Sequence, residues 1–170
     1  MKRVPDGGIQ QPVGKKALWA ATAAVWMLSL TGSSLAAENL ELAPGLSFTD
    51  DSSNSFPIQG DHLGDAEFGR DRAAVAFFGA SHCWNTNREA ERLVALYPKY
   101  RDRVSFIIVD VNHPSEAQRP LLKAHYKGSI PTLVVFAPDG TVLYARSGET
   151  ADTRGDTRAL EALISRAVNG

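Results

Sequence analysis

Residues 128–136 read Gly128-Ser129-Ile130-Pro131-Thr132-Leu133-Val134-Val135-Phe136, a loop glycine and an X–Pro step that open directly into an apolar run. A run without polar alternation fits a strand covered on both faces, and proline is tolerated at a strand entrance. The strand is predicted over 132–137. Pro138-Asp139-Gly140 then separates it from a second strand over 141–147, which is a hairpin signal. Further back, residues 104–111 (VSFIIVDV) and 73–78 (AAVAFF) show the same buried-strand character. Between those two, residues 85–97 carry Ala90, Leu93, Val94 and Tyr97 at helical spacing, and Thr86 with Glu89 fits a capping box at the start. Pro114 closes the strand before it, and Pro120 suits the first position of a helix through Tyr126. Leu160, Leu163, Ile164, Ala167 and Val168 form one stripe of a final helix, capped by Asp156 or Thr157. The order β-α-β-α-β-β-α predicts an α/β domain. Parallel strands joined by helical crossovers, then an antiparallel hairpin, make a mixed central sheet with helices on both faces.

The chain has 170 residues and a formal charge of −1, with 44% hydrophobic and 22% charged residues. These values suit one globular domain with a tail and exclude a disordered or fibrous chain. A nearly balanced charge argues against nucleic acid as the partner. One cysteine, Cys83, excludes a disulfide framework, an all-cysteine zinc site and a dithiol pair within the chain.

The N-terminus has the three parts of a secretory signal peptide. Lys2, Arg3, Lys15 and Lys16 precede the uncharged run 17–30 (ALWAATAAVWMLSL), and small residues lead to Ala36 and Ala37. Ser34 and Ala36 suit a cut between Ala36 and Ala37, with Ala37–Glu38 as the neighbouring alternative. The other reading is an uncleaved membrane anchor, and only then does a membrane become a partner; Thr22, Ser29, Thr31, Gly32, Ser33 and Ser34 weaken it. No cysteine follows the run to carry a lipid, and paired arginines are absent. The expectation is therefore a signal peptide over 1–36, an irregular leader over 37–69 and a folded domain over 70–170, exported across the inner membrane to a periplasm. Loss of 1–36 removes four basic residues and Asp6, leaving 14 basic against 18 acidic, a net −4. In the leader, short extended pieces are expected around 46–48 and 56–58.

The element order, with Phe77-Phe78-Gly79-Ala80-Ser81-His82-Cys83 past the first strand and residues 128–136 opening the third, resembles the thioredoxin superfamily over about 70–170. The resemblance implies a thioredoxin-like mixed sheet flanked by helices and a cis bond at Ile130–Pro131, where X–Pro chemistry permits one. It further implies a nucleophile at Cys83, a proline loop that holds a substrate backbone beside the sulfur, and a glycine, Gly148, that lets that backbone approach. The departures are equally specific. The tetrad is Cys83-Trp84-Asn85-Thr86, so threonine stands where family oxidoreductases have their resolving cysteine. His82 replaces the usual tryptophan, and Phe77 falls where thioredoxins keep a buried aspartate. A dithiol cycle within this chain is chemically impossible.

What is left to Cys83 is monothiol chemistry. At a helix N-terminus, unpaired N–H groups and the dipole favour a thiolate, with charge from His82 and a hydrogen bond from the Thr86 hydroxyl as further support. Such a sulfur attacks a disulfide to give a mixed disulfide that glutathione or a partner protein's thiol resolves. The competing reading is a catalytically silent thioredoxin-fold module that recognises a partner through the Trp84 and Pro131 surface; His82, Trp84, Ile130 and Gly148 are the candidate binding residues. No cofactor is expected. A copper site from His82, Cys83 and His125 is disfavoured, because adjacent residues on an extended loop diverge. His125 reads as a solvated helix residue, His113 as a turn residue, Asp110 as a loop hydrogen-bonding group, and Gly148 alternatively as a positive-φ turn.

Overall fold

A computed structural model describes residues 40–44, 46, 54–60, 72–149 and 157–170. The expected signal peptide, most of the leader and the Asp156 cap lie outside the described residues. Among the described residues no helix is long and apolar enough to cross a membrane.

Two short strands, β1 (Leu40–Leu42) and β2 (Ile58–Gly60), pair antiparallel. The main sheet has four strands, β3 (Ala73–Gly79), β4 (Val104–Asp110), β5 (Thr132–Phe136) and β6 (Val142–Ser147), in the order β4-β3-β5-β6. The helices are α1 (Trp84–Tyr100), α2 (Arg119–His125) and α3 (Thr157–Asn169). Every residue of β3 is buried, and its alternate side chains serve two cores. Ala73, Val75 and Phe77 pack with α1, α3 and the β1–β2 pair, while Ala74, Ala76 and Phe78 pack with Leu121 of α2 and Val134 and Phe136 of β5. A strand sandwiched between layers needs apolar residues on both faces, which is why the AAVAFF run has no polar alternation.

Only one of the two helical connections yields a parallel pair. β3 and β4 run parallel, whereas β5 runs antiparallel to β3 with Thr132 opposite Phe78. The chain leaves β4 at Asp110, opposite Gly79, and re-enters the sheet at Thr132, so it returns at the end where it left. A connection of that kind forces the strand direction to reverse. β6 completes the predicted hairpin, whose turn is fixed by Gly140 at φ +84° and by the Thr141 N–H donated to Asp139 Oδ1 at 2.9 Å. That fixed donor, with help from the Thr141 side chain, holds the Asp139 carboxyl below its ordinary pKa.

Helix α1 starts one residue earlier than expected and runs through Pro98 to Tyr100. The capping box is absent: Cys83 is the N-cap, Thr86 lies in the first turn, and Glu89 is buried in the helix body. Its carboxylate is taken by two arginines, so it does not reach back to the helix start. The α3 stripe buries Leu160, Ile164 and Ala167, and Thr157 is the first helical residue. In the leader, Ile58 forms part of β2, and Leu40–Leu42 is a strand that the sequence pattern does not announce.

Candidate functional site

The ends of four strands meet at one edge of the sheet. β3 ends at Gly79, which stands opposite Asp110 at the end of β4; Thr132 at the start of β5 stands opposite Phe78 and Ser147. The loop from Gly79 to Cys83 and the loop before Thr132 therefore leave the sheet at the same end. His82 has φ +57°, a left-handed turn that an exposed residue adopts without burying its ring. This is not the extended loop expected there. Cys83 returns to extended backbone and caps α1, with no side-chain hydrogen bond of its own in that role. Its carbonyl accepts the Asn87 N–H at 3.0 Å, the first bond of the helix. The amides of the first turn have no intrahelical partner, and no acidic residue occupies that turn. The thiol is half-buried and free.

At the same end of the sheet, the Ile130–Pro131 bond is cis. Pro131 is buried and Ile130 half-buried. The Pro131 carbonyl accepts the Gly148 N–H at 2.8 Å, and the Thr132 hydroxyl donates to Ser129 O at 2.6 Å, so both flanks of the loop are tied. Gly148 has φ +78°, which a side chain would disfavour, and a Cβ there would come no nearer than 3.9 Å to Ser129. Trp84 is 42% exposed, with the Arg88 guanidinium 5.2 Å from its ring centroid, so it is both open to solvent and braced along the helix.

The sheet order, the antiparallel pairing of β5 with β3 and the cis-proline loop at the sheet end from which the chain leads into the cysteine-capped helix decide the architecture. The fold is thioredoxin-like. Solved structures similar to this thioredoxin-like chain include thioredoxin O2 from Arabidopsis thaliana in its oxidised state, at 19% identity, covering 58% of this chain and 77% of that one with a TM-score of 0.45. A mutant thioredoxin from Halobacterium salinarum is 23% identical, over 59% of this chain and 78% of that one, at TM-score 0.46. Mitochondrial thioredoxin 3 from Saccharomyces cerevisiae is 22% identical, over 56% and 79%, at TM-score 0.43. No protein-family model and no curated protein matches the chain.

The structure places Thr86 differently from the expectation. Its side chain is fully buried and its hydroxyl has no hydrogen-bond partner among the described residues, so it does not donate to the Cys83 sulfur. The reason is the earlier helix start. One turn in, Thr86 points its methyl at Gly79, so closely that a Cβ on Gly79 would lie 2.4 Å from Thr86 Cγ2 and 3.0 Å from Phe77 Cζ. An aromatic ring and a methyl group thus close over the end of β3 in this thioredoxin-like domain.

Among the described residues no three His, Cys, Asp or Glu side chains gather, and His125 lies against Phe136, which pairs with Ala74 at the other end of the sheet. Asp110 accepts the Asn112 N–H at 2.9 Å and contacts His113 Nδ1 at 3.0 Å, as a loop-ordering group does. His125 is not a solvated helix residue: its ring is half-buried and meets Phe136 edge-on at 5.1 Å. Burial, reinforced by Lys127, lowers its pKa.

The feature that sequence reasoning missed is a buried charge cluster. Arg92 of α1 reaches Glu89 Oε2 at 2.6 Å and Glu149 Oε1 at 2.7 Å. Arg146 of β6 approaches the same Glu89 oxygen at 2.7 Å, near enough for strong attraction but not aligned as a hydrogen bond. Arg88 stands 3.7 Å from Glu149. The two carboxylates are almost fully buried. Breaking such a cluster by removing one member costs about 3–5 kcal/mol, because the remaining charge is left unpaired. The signal was present in the helix pattern, since Glu89, Leu93, Leu96 and Tyr100 follow one inward stripe.

Proposed function

We propose that this chain is an exported thiol–disulfide exchange protein that acts through Cys83 alone. The observation that carries the reading is the position of a free, half-buried thiol as N-cap of α1, at the sheet end shared with the cis-proline loop and Gly148. Cys83 sulfur, as thiolate, attacks a partner disulfide; the Cys83–partner bond forms as the partner's own S–S bond breaks, and the departing sulfur takes a proton. A second thiol, from glutathione or a protein, then attacks the mixed disulfide and returns Cys83 to its starting state. The attack falls on the partner's sulfur, so one external thiol is consumed and ends joined to the partner in a new disulfide; the net step is exchange, with the number of disulfides unchanged. Pro131 and Ile130 would hold the partner's backbone, Gly148 would leave room for it, and His82 and Trp84 would flank it. Thr86 serves by packing the first turn.

A catalytically silent partner-binding module is the second reading. The closure of Phe77 and Thr86 over Gly79 favours it, since buried apolar groups fill the end of β3 just before the loop to Cys83. The deciding measurement is the rate of Cys83 alkylation against pH, with a Cys83→Ser control, together with mixed-disulfide formation from oxidised glutathione followed by mass spectrometry. A thiol titrating at about 8.5, as in an unperturbed cysteine, with no adduct formed would sink the exchange reading. Export to a periplasm rests on residues 1–36, and mass spectrometry of the exported protein should find Ala37 as its first residue.

A further inference from the structure

The buried charge cluster joins the two halves of the site. Helix α1 carries Cys83 at its start and, further along, Glu89 and Arg92. Those two grip Arg146 and Glu149, which lie on either side of Ser147 and Gly148. Ser147 stands opposite Thr132, and the Gly148 N–H is donated to Pro131 O at 2.8 Å. A continuous set of contacts thus runs from the helix that bears the thiol to the proline loop.

The register of β6 makes such a clamp necessary. Val135 faces Tyr144 but Phe136 faces Val142, so the pairing shifts by one residue at a bulge. Past a bulge, a one-residue slip would turn every side chain of β6 to the opposite face. Arg146 shares the inner face with Tyr144, and a slip would carry its guanidinium away from the buried Glu89 carboxylate. Apolar packing would fill the same space with less desolvation, so a cluster of charges here fits the fixing of one geometry better than it fits stability.

We propose that the Glu89–Arg92–Arg146–Glu149 cluster is a positioning device that fixes the end of β6, and through the Gly148–Pro131 hydrogen bond the proline loop, relative to the helix bearing Cys83. Its bearing on activity rests on the thiol-exchange reading. The clamp itself does not.

The test compares the protein with its Arg92→Leu and Glu149→Gln variants in two assays. Hydrogen exchange of the Gly148 amide reads the loop directly; it should speed up about tenfold or more in the variants, while the Val134 amide in the middle of β5 keeps its protection. Reactions of Cys83 read the consequence. Alkylation by iodoacetamide, which does not use the loop, should stay within about twofold, whereas exchange with a disulfide-linked peptide dimer should slow about tenfold or more. If Arg92→Leu does not fold, the near-isosteric Glu149→Gln variant is judged on the same two readouts. Unchanged Gly148 exchange in a folded variant, or parallel slowing of both Cys83 reactions, overturns the proposal. If the unaltered protein fails to react with the peptide while the variants still release the Gly148 amide, the exchange reading fails and the clamp stands.

Discussion

Gly79→Ala should destabilise the protein, and the loss should be relieved by Thr86→Ser. Two effects oppose each other at this position. Gly79 has an ordinary strand backbone, so alanine would restrict the unfolded chain and add about 0.4–1 kcal/mol of stability. Against this, the new Cβ would lie 2.4 Å from Thr86 Cγ2 and 3.0 and 3.2 Å from Phe77 Cζ and Cε1. Carbon atoms prefer about 3.5–4.0 Å. Neither neighbour can move aside: both side chains are fully buried, and threonine is stiff at χ1. Overpacking of this kind costs about 1–3 kcal/mol, so the clash should win. A net loss of about 1–2 kcal/mol would lower the urea midpoint by about 0.5–1 M, for a slope of about 2 kcal/mol per M. Thr86→Ser removes the offending methyl. Alone it should cost about 0.5–1.5 kcal/mol for the buried carbon lost, yet combined with Gly79→Ala it should raise stability above that of Gly79→Ala. Urea unfolding of the four proteins gives the coupling directly. A neutral or stabilised Gly79→Ala protein, or losses that add within about 0.5 kcal/mol, would refute the reasoning that Thr86 is packed down on Gly79.

Gly148→Ala and Gly140→Ala should each cost about 1–2 kcal/mol for their positive φ, since neither new methyl meets a close neighbour; only Gly148→Ala should also slow exchange with a disulfide peptide. Equal exchange rates for the two would remove Gly148 from the site. Burial lowers the His125 pKa, so between about pH 6.5 and the folded value the unfolded chain holds more protons, and stability falls as pH drops through that window. An NMR titration should find His125 below the ordinary histidine value, and His125→Asn should flatten that part of the stability–pH curve. Tyr100→Phe, which removes the 2.5 Å contact between Tyr100 Oη and Ser165 Oγ, should lower unfolding free energy by about 0.5–1.5 kcal/mol with no change in Cys83 alkylation.

Much of the fold was legible because its signals are local. Buried strands show as apolar runs, the hairpin shows in Pro138-Asp139-Gly140, and the residues before Thr132 mark the proline loop. The errors share a cause. The Thr86–Glu89 pair satisfies a capping pattern, but Glu89 finds stronger partners in Arg92 and Arg146, and the second of these is remote in sequence. His125 looks like a polar residue on a short helix, and only the arrival of Phe136 from β5 covers it. The reversal of β5 also escaped a reading based on element order, because order along the chain does not state at which end of the sheet a connection returns.

The sequence by itself determined what chemistry is available to this protein. One cysteine, Cys83, restricts any disulfide exchange to a partner outside the chain. Composition and covalent connectivity decide that much. Tertiary structure decided where the remaining groups point. It turned Thr86 inward onto Gly79, drew Glu149 and Arg146 to the flank of α1, and tied Gly148 to the proline loop. These outcomes depend on which distant segments share a buried space, and burial is what makes a methyl contact or an unpaired charge costly enough to select one arrangement.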